Sequence, residues 1–309
     1  MTTMSRNETE IRVTSDVEIE MTRTFDAPRE LVFEACTRPE HMAQWWGPRG
    51  YTLPVCEMDV RPGGTYRFVQ RGTDGGEHPF HGEFREVSAP SRLVLTQIYD
   101  PIPQSELLIT ISFEEIGERR TRLREHMLFD SIQSRDGMLQ AGMEYGARDS
   151  MDRLEEQLEV MDRGTLIERV FDAPRDLVFD VWTDPKHVAQ WWGPNGFTNT
   201  VQHMDVRPGG EWRFIMHGPD GVDYPNLIKF VEVVRPERLV YDHSGAADGS
   251  ADFRGIVSFA AEGNTTRLTM RTLFPSADIR EFINREYHAV EGAEQTLDRL
   301  ADYLAGQMG

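Results

Sequence analysis

The chain has 309 residues, 33 of them Lys or Arg and 52 Asp or Glu, for a formal net charge of −19. A surplus of that size repels polyanions, so it gives nucleic acid or an anionic membrane surface no electrostatic reason to bind. Hydrophobic residues make up 39% and charged residues 28%, the balance of an ordinary globular protein, and no apolar run approaches the roughly 18 residues of a membrane span.

The opening segment, MTTMSRNETEIRVTSD, has no apolar core and mixes acids with bases, unlike a secretory signal or transit peptide. Residues 1–16 are read as a polar N-terminal tail, and a cytoplasmic location without membrane insertion is expected. Beyond the tail the chain repeats itself. Phe25-Asp26-Ala27-Pro28-Arg29 recurs as Phe171-Asp172-Ala173-Pro174-Arg175, Trp45-Trp46-Gly47-Pro48 as Trp191-Trp192-Gly193-Pro194, and MDVRPGG at 58–64 as 204–210, each at an offset of 146 (171 − 25). Between residues 25 and 49, 17 of 25 positions are identical to their partners. A register held over a whole copy indicates two domains, 17–162 and 163–309.

Each copy opens with a β-like run, Val17 to Phe25 and Thr165 to Phe171. Ala-Pro then starts a helix whose apolar residues have helical spacing, and a second short helix runs into the tryptophan pair and stops at Gly-Pro. The middle of the first copy predicts strands at 51–60, 65–71, 79–88, 92–99, 106–115 and 121–129, separated by turns such as Pro62-Gly63-Gly64 and Asp74-Gly75-Gly76. Short connections make these an antiparallel meander. Each copy closes with a helix, 135–161 and 277–305, in which Met151, Leu154 and Leu158, or Leu297, Leu300 and Leu304, form one apolar stripe. The fold class is α+β: two curved antiparallel sheets of about seven strands, each around a long C-terminal helix.

The FDAPRELVFEACTRPEHMAQWWGP and MDVRPGG segments, with the GARDSMDRLEEQL helix, resemble the START-like helix-grip superfamily (SRPBCC). Within it they are similar to the family related to the C-terminal domain of the activator of heat-shock protein 90 ATPase. The resemblance covers nearly the whole chain in two copies. It implies a cavity between sheet and long helix in each copy.

Wall candidates are Phe33, Trp46, Tyr66, Phe68, His81, Phe84 and Met127 in the first copy. Those in the second are Phe179, Trp192, Trp212, Phe214, Phe230 and Phe274. A double tryptophan at a helix end places one ring in the core and the other at a rim. Asp59 and Arg61, like Asp205 and Arg207, share a strand face and suit a structural ion pair. Gly146 and Gly292 fall inside helices, where close approach of the helix backbone to the sheet, or to a bound ligand, would offset their cost. His78 and His81 have metal-pair spacing, but Tyr224 and Leu227 replace them in the second copy, and neither a metal nor a cofactor is expected. Cys36 and Cys56, the only cysteines, are expected as free thiols.

No G-x-S-x-G, H-E-x-x-H, P-loop or G-x-G-x-x-G motif is present. The leading expectation is a module that binds a small apolar or amphipathic molecule without catalysis. An alternative is an enzyme of the cyclase or hydratase kind using His41, His81 or Tyr66 as acid or base. A chaperone partner is the third reading. The heat-shock-protein activators carry a separate N-terminal domain, whose place here is taken by a second copy of the C-terminal type, and this departure speaks against chaperone contact. The pocket positions diverge between copies, with Cys36, Tyr66 and His81 against Trp182, Trp212 and Leu227. That predicts the larger cavity in the first domain.

Overall fold

The computed structural model describes residues 8–245 and 252–308, and the chain divides between Glu159 and Val160. The first unit comprises β1 (Glu10–Ser15), β2 (Glu18–Phe25), α1 (Arg29–Ala35), α2 (Pro39–Trp45), β3 (Thr52–Met58), β4 (Thr65–Arg71), β5 (Glu77–Ser88), β6 (Arg92–Tyr99), β7 (Glu106–Gly117), β8 (Arg120–Leu128) and α3 (Ile132–Gln140). It ends in α4 (Met143–Arg163), which runs on past the dividing point. Its strands form one antiparallel sheet in the order β1-β2-β8-β7-β6-β5-β4-β3.

The second unit repeats the plan with β9 (Gly164–Phe171), α5 (Arg175–Thr183), α6 (Pro185–Trp191), β10 (Thr198–Met204), β11 (Glu211–His217), β12 (Asp223–Val234), β13 (Arg238–Ser244), β14 (Phe253–Glu262), β15 (Thr265–Leu273), α7 (Ala277–Tyr287) and α8 (Ala289–Met308). Its seven-stranded sheet has the order β10-β11-β12-β13-β14-β15-β9. β8 and β9 belong to different sheets, as a duplicated domain requires.

Alternation builds each sheet. Along β2, Ile19, Met21, Arg23 and Phe25 are buried and the residues between them are not. Register shifts between Phe84 and Glu86, and between Phe230 and Glu232, mark bulges at the same place in β5 and β12. A bulge bends its strand, which lets the sheet curve round a helix. The repeated MDVRPGG segment is a tight corner. A Cβ on Gly64 would lie 1.9 Å from the Asp59 carbonyl oxygen, and one on Gly210 2.1 Å from that of Asp205, so only glycine fits there. Arg61 and Arg207 pair with Asp59 and Asp205 at 2.8 Å, exposed and structural.

The helical stripe packs as expected, with Met151, Leu154 and Leu158 of α4 and Leu297, Leu300 and Leu304 of α8 buried. Arg23 is buried beneath α4. Its guanidinium donates to Asp152 Oδ1 at 2.5 Å, to Glu155 and to Thr9 Oγ1 at 3.0 Å.

Two expectations are corrected. Residues 10–15, assigned to the polar tail, form the edge strand β1, which pairs with β2 through backbone bonds while Val13 stays exposed; residues 1–7 of that tail lie outside the described residues. The long helix of each copy is also interrupted. Gly142 takes a left-handed conformation (φ +84°) and ends α3, and His288 (φ +49°) ends α7.

Candidate functional site

A cavity of about 290 Å³ lies in the first unit between the sheet and α4. Its sheet side carries Tyr66 and Phe68 of β4, Phe80 and Phe84 of β5, and Met127 of β8. Met143, Gly146, Ala147, Ser150 and Met151 close it from α4, and Trp46 and Pro48 from the corner after α2. Of the expected wall residues, the structure therefore brings together Trp46, Tyr66, Phe68, Phe84 and Met127. Two lie elsewhere. Phe33 turns to β7, where its ring meets Phe113 edge-on at 5.3 Å. His81 alternates with the cavity-facing Phe80 and so points to the opposite face, where Nδ1 lies 2.6 Å from Asp100 Oδ1.

The tryptophan pair divides its labour. Trp45 is buried and its indole N–H donates to the Ala35 carbonyl at 2.9 Å. Trp46 forms wall, with its ring 4.9 Å from Phe68 and 5.2 Å from Phe80. What fixes this corner is Arg153 of α4, which donates to the carbonyl oxygens of Gly47 (2.7 Å), Pro48 (3.2 Å) and Gln44 (2.7 Å). Arg299 holds the second corner in the same way, through Gly193 (2.8 Å), Pro194 (2.9 Å) and Gln190 (3.2 Å). Sequence reasoning missed this clamp, although Arg153 and Arg299 match across the offset.

Gly146 is a wall residue, and a Cβ there would meet only Pro48, at 4.0 Å. That is ordinary van der Waals distance, so no close approach to the sheet explains the glycine.

The cavity also holds a carboxyl group that sequence reasoning did not single out. Glu125 of β8 shares a face with the buried Leu123 and Met127, and that parity was the available signal. Enclosure in apolar surroundings raises its carboxyl to about 7. Burial, reinforced by the Glu125 charge, pushes the Cys36 thiol and Tyr66 hydroxyl above their ordinary ranges, so both stay neutral. The Tyr66 hydroxyl donates to the Thr96 carbonyl at 2.9 Å. His41 does not line the cavity; its Nδ1 lies 3.3 Å from Gln157 Nε2. Among the described residues no cluster of His, Cys, Asp and Glu could hold a metal ion, and no helix is long and apolar enough to cross a membrane.

In the second unit Phe179, Trp192, Trp212, Phe214 and Phe230 belong to one hydrophobic core, while the Phe274 ring meets Phe253 at 6.0 Å. Phe179, Trp212, Phe214, Phe230 and Phe274 are buried. Trp212 stacks on Phe214 at 4.2 Å, and Trp192 meets Trp182, Trp191 and Trp212 at 5.7, 5.5 and 5.1 Å. Phe179 meets Phe259 edge-on at 5.3 Å, repeating the Phe33–Phe113 brace.

The family model described as Activator of Hsp90 ATPase homolog 1-like protein matches residues 26–159 and again residues 172–305. No curated protein matches the chain. Among solved structures, a protein from Rhodobacter sphaeroides is similar at 25% identity over 50% of this chain and 99% of its own, with a TM-score of 0.46. A Mycobacterium smegmatis protein is similar at 25% identity over 47% of this chain and 92% of its own, with a TM-score of 0.43. The di-domain ARO/CYC protein BexL, from the BE-7585A biosynthetic pathway, is similar at 16% identity over 93% of this chain and 98% of its own, with a TM-score of 0.39.

Proposed function

The chain belongs, through both of its halves, to the family of Activator of Hsp90 ATPase homolog 1-like proteins, and on that footing we propose that it binds a small apolar or amphipathic molecule in the cavity of its first unit. The observation that carries this reading is the cavity itself. Protein interiors pack to crystal density with few voids larger than a water, whereas about 290 Å³ stands open here between sheet and helix. Walls of methionine, leucine and aromatic carbon with a few polar groups are the ordinary makeup of a small-molecule site, and the volume falls near the lower end of the roughly 300–1,000 Å³ of such sites.

The test uses the neutral fluorescent probe N-phenyl-1-naphthylamine. The full chain should bind it with enhanced emission, and Ala147→Trp, which fills the cavity from the helix side, should abolish binding while leaving the circular dichroism unchanged. Undiminished binding by a folded Ala147→Trp chain contradicts the reading.

A cyclase or hydratase activity draws support from one observation. Glu125, a cavity carboxyl near 7, is matched to proton transfer at neutral pH. His41 and His81 stand outside the cavity, and the Tyr66 hydrogen is already given to Thr96, so Glu125 replaces them as the acid or base of that reading. Loss of a turnover in Glu125→Gln with unchanged binding of the neutral probe would favour it.

A further inference from the structure

Glu125 is the single carboxylic acid in the cavity wall, and among the described residues no Lys, Arg or His joins it there. It pairs across the ladders with Met21 of β2 and Ile111 of β7, so apolar side chains flank it on both sides. Among the described residues no hydrogen bond or ion pair reaches its carboxylate. Three donors of the wall are committed elsewhere, Tyr66 to Thr96 O at 2.9 Å, Trp45 to Ala35 O at 2.9 Å and Ser150 to Gly146 O at 2.8 Å, and the lining also carries the neutral amides of Gln70 and Gln97. The neighbouring cation on β2, Arg23, is turned to Asp152 and Glu155 of α4. Cys36 at the C-terminal cap of α1 and Tyr66 of β4, the other titratable groups facing Glu125, are neutral.

A carboxylate in apolar surroundings, with no hydrogen-bond or ion-pair partner among the described residues, costs free energy, and an anionic ligand beside it would raise that cost. A ligand that brings a positive charge and N–H donors lowers it through charge-assisted hydrogen bonds. The rings of Trp46, Tyr66, Phe68, Phe80 and Phe84 complete a wall of the kind that attracts cations to aromatic faces. The net charge of −19 favours the approach of cations. We propose that the first unit's cavity selects a small apolar primary amine, whose ammonium group pairs with Glu125 while its hydrocarbon body fills the space between the sheet aromatics and α4. This rests on the ligand-binding reading above and narrows its ligand.

The experiment is a fluorescence titration of the full chain, at about pH 8, with 2-(1-naphthyl)ethylamine and with the matching alcohol, 2-(1-naphthyl)ethanol. The wild-type chain should bind the amine roughly tenfold tighter or more. In Glu125→Gln, and in Glu125→Met if the first variant folds poorly, the two probes should bind alike, with affinity for the alcohol kept. Equal binding of both probes by the wild type, or a preference that survives removal of the carboxylate, overturns the amine assignment. The ligand-binding reading then still stands where Ala147→Trp abolishes alcohol binding. If neither probe binds the wild-type chain, the ligand-binding reading itself fails.

Discussion

Glu125 and Met270 occupy the same position in the two sheets. Glu125 pairs with Met21 on β2, and Met270 pairs with Ile167 on β9. Two positions before them stand the buried Leu123 and Leu268, and two before those Thr121 and Thr266, which donate to the carbonyls of Ala27 and Ala173. The offset here is 145 (266 − 121), one residue short of that elsewhere. A carboxylic acid in one copy is thus a core thioether in the other. Neighbouring positions change in the same direction. The cross-strand pair Tyr66–Gly82 becomes Trp212–Ile228, and Cys36 becomes Trp182, so these three positions carry larger side chains in the second unit.

The pH dependence of stability should carry the mark of Glu125. Its carboxyl titrates at about 7 in the folded chain against an ordinary 4.5. The folded state therefore holds the proton more tightly than the unfolded state, and stability falls as pH rises from about 4.5 to about 7, then levels off. At about 1.4 kcal/mol per unit the full penalty is of order 3 kcal/mol. Glu125→Gln, uncharged at every pH, should match the wild type near pH 4 and exceed it by up to that amount near pH 8. Thermal melts followed by circular dichroism across this range measure the difference, and a difference independent of pH contradicts the assignment.

The Arg153 clamp should be worth more than a surface contact. Three carbonyls of the corner after α2 accept from this one guanidinium, and hydrogen bonds to charged groups contribute about 1.5–3 kcal/mol each before non-additivity. Arg153→Ala is expected to cost about 3 kcal/mol in urea unfolding and to weaken probe binding, because Trp46 sits in the corner it holds. Arg153→Lys should recover little, since one ammonium cannot span three acceptors. A cost below about 1 kcal/mol would show the corner to be held by packing alone.

Gly146→Ala should separate stability from binding. The added methyl would meet only Pro48, at 4.0 Å, and alanine is favoured over glycine in a helix by up to about 1 kcal/mol. The variant should be at least as stable as the wild type, yet bind N-phenyl-1-naphthylamine less well because the methyl enters the cavity. Calorimetric unfolding and probe titration of the same sample check both halves, and tighter binding would place the ligand away from α4.

Local chemistry made most of the fold legible. Turn residues delimited β4 and β6 to the residue, and the Trp-Trp-Gly-Pro corner announced one buried ring and one rim ring, as Trp45 and Trp46 prove to be. β1 was hidden because its sequence, EIRVTS, is mostly polar and is held by backbone pairing with β2 rather than by burial. The helix interruptions depend on single left-handed residues, Gly142 and His288, and a histidine carries no such signal. Strand parity along β5 sets His81 on the face opposite Phe80 and Phe84, a signal the sequence does carry. Parity would also have exposed Glu125 as an acid on an apolar face. The Arg153 clamp needed the distance between helix and corner, which no spacing along the chain provides.

The most direct test of the central claim compares Trp46→Ala with Trp192→Ala in titrations of the full chain with N-phenyl-1-naphthylamine. Trp46 is cavity wall, whereas Trp192 is packed among Trp182, Trp191 and Trp212. The wild-type chain should bind one probe. Trp46→Ala should weaken that binding roughly tenfold, the equivalent of about 1.4 kcal/mol, and Trp192→Ala should lower stability while leaving probe affinity unchanged. Two equivalent sites per chain, or a loss of affinity in Trp192→Ala that equals or exceeds the loss in Trp46→Ala, would contradict a binding site confined to the first unit.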